Sequence, residues 1–177
     1  FLELADWLNA HDVDGTVKMN CQGRWISSDR KHYPYGYPER IRNSLRQSLT
    51  RDEVTILPDA EIVNLGIILH PDQRDAVKQA LRLKLGSQLN IVSSDRDNLD
   101  VIRPDCSKAA ALALLAERYK VPLSEVIVIG DSENDVGMFN IVKMSYCMAD
   151  AEPQIQQKAV QTVRSVAAAL ELEMAKL

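Results

Sequence analysis

Asp131 and Asp135 lie four residues apart, with Ser132 and Asn134 between them, a dense set of side-chain oxygens. Oxygen ligands of this kind suit a hard divalent cation such as Mg²⁺. Ahead of them runs Val126-Ile127-Val128-Ile129-Gly130. Four β-branched apolar residues in succession, able to pack both faces of a sheet, read as a short buried parallel strand. Gly130 ends the run and puts the oxygens at the strand's carboxyl end, where open α/β sheets collect their ligands. From Asp135 to Val142 the apolar residues return at helical spacing. Asp, Ser and Asn also cap helices for structural reasons alone, and either aspartate by itself would be read that way.

Two kinds of chain organisation flank this stretch. Before residue 104 the pattern is mixed. Leu2, Leu4, Ala5 and Leu8 predict a short amphipathic helix over residues 1–9. Alternation over 16–21 and 24–27, with Gln22-Gly23 between, predicts a β-hairpin. A polar tract over 29–37 reads as a loop, and Pro38 opens a helix to Leu49. A strand at 62–69, a helix from Pro71 to Leu85 closed by Gly86, and two strands near 89–93 and 99–102 follow. From Cys106 the order becomes helix 107–119, the Val126 strand, the Asp135 helix, a strand at 144–148, a helix after Pro153, a strand at 161–163 and a terminal helix from Val166. That alternation is the grammar of a parallel sheet covered by helices. The boundary falls near Pro104, giving an α+β domain over 1–103 and an α/β domain over 104–177.

Composition excludes several functions. The 177 residues are 46% hydrophobic and 26% charged, ordinary for a globular protein, and carry a net charge of −4. No basic run speaks for nucleic acid. No apolar stretch is long enough for a membrane span, and no signal peptide is evident. Cys21, Cys106 and Cys147 are odd in number and widely spaced, as expected of free thiols in a reducing, cytoplasmic compartment. His11, His32 and His70 lack metal-ligand spacing. Trp25, Tyr33, Tyr35 and Tyr37 could stack on a sugar, although packing or solvated-loop roles explain them equally well.

The string Gly130-Asp131-Ser132-Glu133-Asn134-Asp135, followed by Met138, resembles the last motif of haloacid dehalogenase-like (HAD) phosphatases, in particular the Cof-type sugar-phosphatase branch. Leu99 to Ile102, Pro104, Ser107-Lys108 and the helix that follows are similar to that family in order and spacing. The resemblance implies a Rossmann-like parallel core with an α+β cap domain. It implies that Asp131 binds Mg²⁺ directly, with Ser132 near the metal. Asp135 would support the metal through water or by orienting Lys108. Lys108 would stabilise the phosphoryl group and Asn134 would sit near phosphate or substrate. A lone lysine is ordinarily a surface charge, but an ammonium fixed near a developing phosphoryl charge is sound electrostatic catalysis. Ala149-Asp150 stands where the family usually has glycine then asparagine, and Arg164-Ser165-Val166 replaces its glycine-rich segment.

The family's nucleophile is the first aspartate of a D-x-D motif closing a buried strand, and attack by it divides hydrolysis into two easier steps. Asp12-Val13-Asp14-Gly15-Thr16 has those letters, but Trp7 to His11 before it does not read as a buried strand. The better alignment makes residues 1–103 the cap domain, with Asp12 to Gly15 the loop entering its hairpin. The chain, opening on Phe1, would then hold the cap and the C-terminal half of the core. The expected function is Mg²⁺-dependent hydrolysis of small phosphomonoesters such as sugar phosphates through an aspartyl-phosphate, this chain alone being inactive. The alternative is a non-catalytic module that binds a phosphorylated ligand or a partner. A core sheet lacking neighbours should expose apolar edge surface and favour association with a second copy.

Overall fold

A computed structural model of the chain describes residues 2–21, 24–27 and 62–176. The loop expected over 29–37, the helix from Pro38, the tip of the hairpin, His32 and the three tyrosines lie outside the described residues, as does the side chain of Trp25. The chain divides into two compact units, Phe1–Arg103 and Pro104–Leu177.

The first unit is built on an antiparallel sheet of β1 (Gly15–Cys21), β2 (Arg24–Ser27), β3 (Ile62–Leu69), β4 (Asn90–Asp95) and β5 (Asn98–Ile102), in the order β2-β1-β3-β5-β4. The β1–β2 and β4–β5 pairs are hairpins, whereas β3 pairs with β1 on one side and β5 on the other. Strand residues alternate between faces. Val17, Ile67, Leu69, Ile91, Leu99 and Val101 form one face and join a single core with Leu4, Ala5 and Leu8 of α1 (Leu2–Ala10) and Val77 and Leu81 of α2 (Pro71–Leu85). Spacings of three and four residues along each helix place those side chains on one stripe. His70 caps α2, its Nδ1 accepting from the Asp72 amide at 3.3 Å, and Pro71 starts the helix where its missing N–H costs nothing. His11 stacks on Trp7 with ring centroids 4.3 Å apart. Two of the three histidines thus have structural partners.

The second unit carries a parallel sheet of β6 (Ile127–Gly130), β7 (Met144–Met148) and β8 (Gln161–Val163), in that order. Helices α3 (Lys108–Tyr119), α4 (Glu133–Ile141), α5 (Pro153–Gln156) and α6 (Val166–Met174) alternate with the strands. One core joins Val128, Phe139, Cys147 and Ile155; another joins Tyr146, Val163 and Ala169. Fully buried Tyr146 donates its hydroxyl to Glu173 of α6, and Lys176 Nζ donates to the same carboxylate at 2.6 Å. The α/β grammar read from Cys106 onward is therefore present. Burial of the Val126 run is uneven, with the apolar edge expected of a core sheet lacking neighbours. Val128 is buried but Ile127 is 39% exposed, because β6 is an edge strand among the described residues. No helix of the described residues is long and apolar enough to cross a membrane.

Candidate active site

The site assembles at the carboxyl end of β6 from two short pieces of chain. Gly130 ends the strand, Asp131 and Ser132 turn the chain, and α4 begins at Glu133. Ser132 is the N-cap of α4 and Asp135 the third residue of the helix, the spacing of a capping box. The Oδ2 of Asp135 accepts from the amides of Asp131 at 2.9 Å and Ser132 at 3.1 Å. Two backbone donors that would otherwise be orphaned at the helix start are satisfied in this way.

Lys108 reaches the same carboxylate from α3. Ser107 fixes the start of that helix, its Oγ accepting from the Ala110 amide at 3.0 Å. Gly137 on α4 makes a close approach possible: a Cβ there would stand 3.1 Å from the Cβ of Ala109. With the two helices this near, Lys108 Nζ donates to Asp135 Oδ1 at 2.5 Å and to Asn134 Oδ1 at 3.1 Å. Gly130 has a matching role. A Cβ at that position would lie 2.5 Å from both Cβ and Cγ of Asp135, so only glycine leaves room for the carboxylate.

The electrostatics follow from this packing. Asp135 is 2% exposed. Burial by itself raises its pKa, but the hydrogen bond from Lys108, the two backbone amides and the Lys108 charge outweigh burial and hold the carboxyl below its ordinary range. Asp135 is therefore an anion, with Oδ1 engaged by Lys108 and Oδ2 by two amides. Such a carboxylate is poorly available as a direct metal ligand and well placed to orient the ammonium, the indirect role among those expected of it. Lys108 keeps half of its side chain in solvent. Its charge is anchored on one side and open on the other.

Asp131 is the exposed carboxylate of the group, and Ser132 Oγ donates to its Oδ1 at 3.3 Å. All five residues expected at the site, Lys108, Asp131, Ser132, Asn134 and Asp135, thus lie together at one strand end. Among the described residues no three His, Cys, Asp or Glu side chains converge into a self-sufficient metal cage. An open Asp131 carboxylate beside a hydroxyl still fits Mg²⁺, which keeps several waters and commonly takes one or two carboxylates plus phosphate oxygens. Gly130 reads in the sequence as the end of a strand, and nothing in the sequence pattern marks it or Gly137 as a gap into which Asp135 or Ala109 fits.

The remaining motifs sit elsewhere. Asp12 and Asp14 are exposed in the turn between α1 and β1, with Asp12 at φ 57°, and the described element leading into them is the helix α1. Left-handed backbone is tolerated by Asp in turns and has no place at the end of a buried strand. In the second unit Cys147 pairs in register with Gly130 and is buried. Burial, then the charges of Asp131 and Asp135, push its thiol pKa up, which disfavours the thiolate. Asp150 is exposed in the turn after β7.

Residues 2–168 match the family model described as haloacid dehalogenase-like hydrolase. The chain is 30% identical over 144 residues to the HMP-PP phosphatase of Enterobacter sp. strain 638, covering 81% of this chain and 52% of that protein. It is 29% identical over 136 residues to the 5-amino-6-(5-phospho-D-ribitylamino)uracil phosphatase YcsE of Bacillus subtilis, covering 76% of this chain and 47% of that one. In structure it is similar to SMU.1108c from Streptococcus mutans, with a TM-score of 0.77 at 18% identity over 98% of this chain and 66% of the other. It is also similar to the HAD subclass IIB sugar phosphatase BT4131, with a TM-score of 0.68 at 12% identity over 96% and 64%. The chain spans about half the length of the two sequence relatives.

Proposed function

The chain belongs to the haloacid dehalogenase-like hydrolases, and on that footing we propose that it supplies the lysine and metal-binding part of a phosphatase acting on small phosphomonoesters, sugar phosphates among them. The observation that carries this reading is the Lys108 ammonium, held by Asn134 and buried Asp135 while half of its side chain stays in solvent. Whatever the nucleophile, phosphoryl transfer leans heavily on positioning and charge compensation by the protein. Lys108 compensates charge on the phosphoryl oxygens, and Asp135 holds it so that no reorientation is needed as that charge develops. Asn134 steadies the ammonium and stands where a phosphate oxygen would approach. Asp131, assisted by Ser132, would hold Mg²⁺, whose chemistry is to polarise the phosphoryl group and neutralise its charge.

In this reading residues 1–103 are the cap domain and residues 104–177 part of the core. Phosphorylated small metabolites as substrates are supported by the names of the relatives, both phosphatases. The family resemblance supplies an aspartyl-phosphate route, in which a carboxylate attacks phosphorus, the ester oxygen leaves, and water then cleaves the acyl phosphate. We assign that nucleophile to no described residue. A second reading, binding of a phosphorylated ligand without turnover, draws support from the placement of Asp12-Val13-Asp14 in an exposed turn after a helix.

The test is hydrolysis of p-nitrophenyl phosphate by the complete protein, with and without Mg²⁺. Asp131→Ala should lower kcat by about a thousandfold and remove the metal response. Near-normal, still metal-dependent turnover by that variant would sink the assignment. Loss of activity in Asp12→Asn as well would instead make the turn aspartate the nucleophile.

A further inference from the structure

Past the ends of β7 and β8 the second unit carries a carboxylate, Asp150, and a guanidinium, Arg164, that Lys108 and Asp131 do not engage. Gly130 and Cys147 are the last paired residues of β6 and β7, and Met148 and Val163 the last of β7 and β8. Asp131 therefore leaves β6 beside Met148, and Arg164 leaves β8 beside Ala149, on strands about 4.8 Å apart. After Met148 the chain turns back at once. The Ala151 amide donates to the Met148 carbonyl at 3.1 Å, with Ala149 and Asp150 as the central residues of the turn. Asp150 thus stays at the carboxyl edge of the sheet, one strand over from Asp131. Its exposed carboxylate has no hydrogen-bond or ion-pair partner among the described residues.

The turn is tied on both sides of its tip. Gln156, at the end of α5, donates through Nε2 to the Ala149 carbonyl at 3.0 Å and to the Ala151 carbonyl at 2.8 Å. The Ala149 amide donates in turn to the Val163 carbonyl at 2.8 Å. A tip held in this way has little ordering left to lose when a ligand arrives. Its charge also reaches the candidate site. After burial, the carboxylates of Asp131, Asp135 and Asp150 all raise the pKa of the Cys147 thiol, and Cys147 is the register partner of Gly130.

Charge balance gives the consequence. Lys108 is already paired with Asp135. Asp131 would be matched by the metal and the metal by the phosphoryl oxygens, so Asp150 adds a negative charge that nothing offsets. A like charge beside a bound anion weakens its binding, and a ligand that carries an ammonium near its phosphoryl group recovers the loss. Arg164, on the side of β7 away from β6, opposes such an ammonium. Both ions are exposed, so solvent and salt keep the effect small.

We propose that Asp150, with Gln156 as its positioning residue, sets the specificity of the Lys108–Asp131 site in favour of phosphomonoesters that bear an ammonium close to the phosphate. The inference rests on the phosphatase reading for where the phosphate sits, but the charge preference is measurable without turnover.

The experiment titrates the isotope-labelled full chain with 2-aminoethylphosphonate and with 2-hydroxyethylphosphonate, in Mg²⁺ at low ionic strength. Amide shifts are followed over residues 130–135 and 148–152. At about pH 8 both compounds carry a phosphonate dianion and differ by one ammonium. The aminoethyl compound should bind about threefold more tightly, and the margin should close as salt is raised. Asp150→Asn, close to it in shape, should remove the margin. Gln156→Leu, which frees the turn, should shrink it, and Arg164→Gln should widen it. Equal affinities in the unsubstituted chain, or a margin that survives Asp150→Asn, would overturn the proposal and leave the phosphatase reading standing. Saturable shifts with neither compound would overturn both. A complete protein that fails to hydrolyse p-nitrophenyl phosphate while the margin persists would count against turnover and uphold the charge preference.

Discussion

In the first unit Leu8, Val17, Ile67, Leu81 and Leu99 are at most 1% exposed, and two helices and one sheet face share them as one core. In the second unit Leu114, Leu115 and Tyr119 of α3 are 50–70% exposed, and Ala116 is the residue of that helix that is buried. Its order near the candidate site comes from another source. Asp135 receives one charged and two backbone hydrogen bonds, and Gly130 and Gly137 leave room for the contacts. Apolar burial is non-directional and fixes a core as a whole, whereas short charge-assisted hydrogen bonds fix individual atoms. A phosphoryl site needs the second kind of order. The comparison separates the part of the chain that is stable by packing from the part that is positioned by polar contacts.

The largest test removes the positioning charge. Lys108→Met in the complete protein should lower kcat for p-nitrophenyl phosphate by at least about a hundredfold. It also leaves the Asp135 carboxylate buried without its cation, which should destabilise the second unit by roughly 3 kcal/mol. Amide exchange in β6 and β7 should therefore quicken while exchange in β1, β3 and β5 stays as it was. Equal loosening of both units would break the distinction drawn above.

The converse substitution acts on packing. Leu81→Ala removes a fully buried side chain from the first core and should cost about 2–5 kcal/mol in chemical denaturation. Leu114→Ser, at a side chain 67% exposed, should stay within about 0.5 kcal/mol of the unsubstituted chain. A large loss from Leu114→Ser would mean that the exposed face of α3 is covered in solution, as association with a second copy would do, and sedimentation at several concentrations would reveal it.

A smaller effect separates the units by pH. Asp135 has a depressed folded pKa, so its stabilisation is present above the unfolded carboxylate value and is lost as pH falls from roughly 4 through the folded value. Lys18 is shifted in the opposite sense for stability. Burial lowers its pKa, against the raising effect of Asp100, Asp97 and Asp95. The unfolded chain then holds the proton more tightly, so the first unit gains stability as pH rises from the folded value toward about 10.4. Exchange-monitored stability should fall on the acid side in β6 and rise on the alkaline side in β1. Asp135→Asn and Lys18→Met should each flatten the corresponding slope.

Much of this was legible in sequence because it is local. The amphipathic spacing of Leu4, Ala5 and Leu8, the alternation of β1, Pro71 and Gly86 at the ends of α2, and the β-branched run before Gly130 each depend on neighbours within a turn or two. The Gly130 to Asp135 string and Lys108 were legible as a group through family resemblance. Buried surface was harder to read. The apolar run at Val126 reads as a strand able to pack both faces, but that Ile127 is the residue left 39% exposed at the edge depends on which elements lie alongside. No local pattern placed β3 between β1 and β5, since that order is set by pairings between segments far apart in the chain.

By itself the sequence determined the order and type of the described elements, the change from a mixed to an alternating pattern near Pro104, and the residue types gathered after Gly130, since each is fixed by backbone preference and side-chain period. Only the tertiary structure decided that both oxygens of Asp135 are engaged, that Lys108 is anchored on one side and open on the other, and that the amide oxygen of Asn98 is buried without a donor. Those outcomes depend on distances between residues remote in sequence, and a hydrogen bond is made or lost within a few tenths of an ångström.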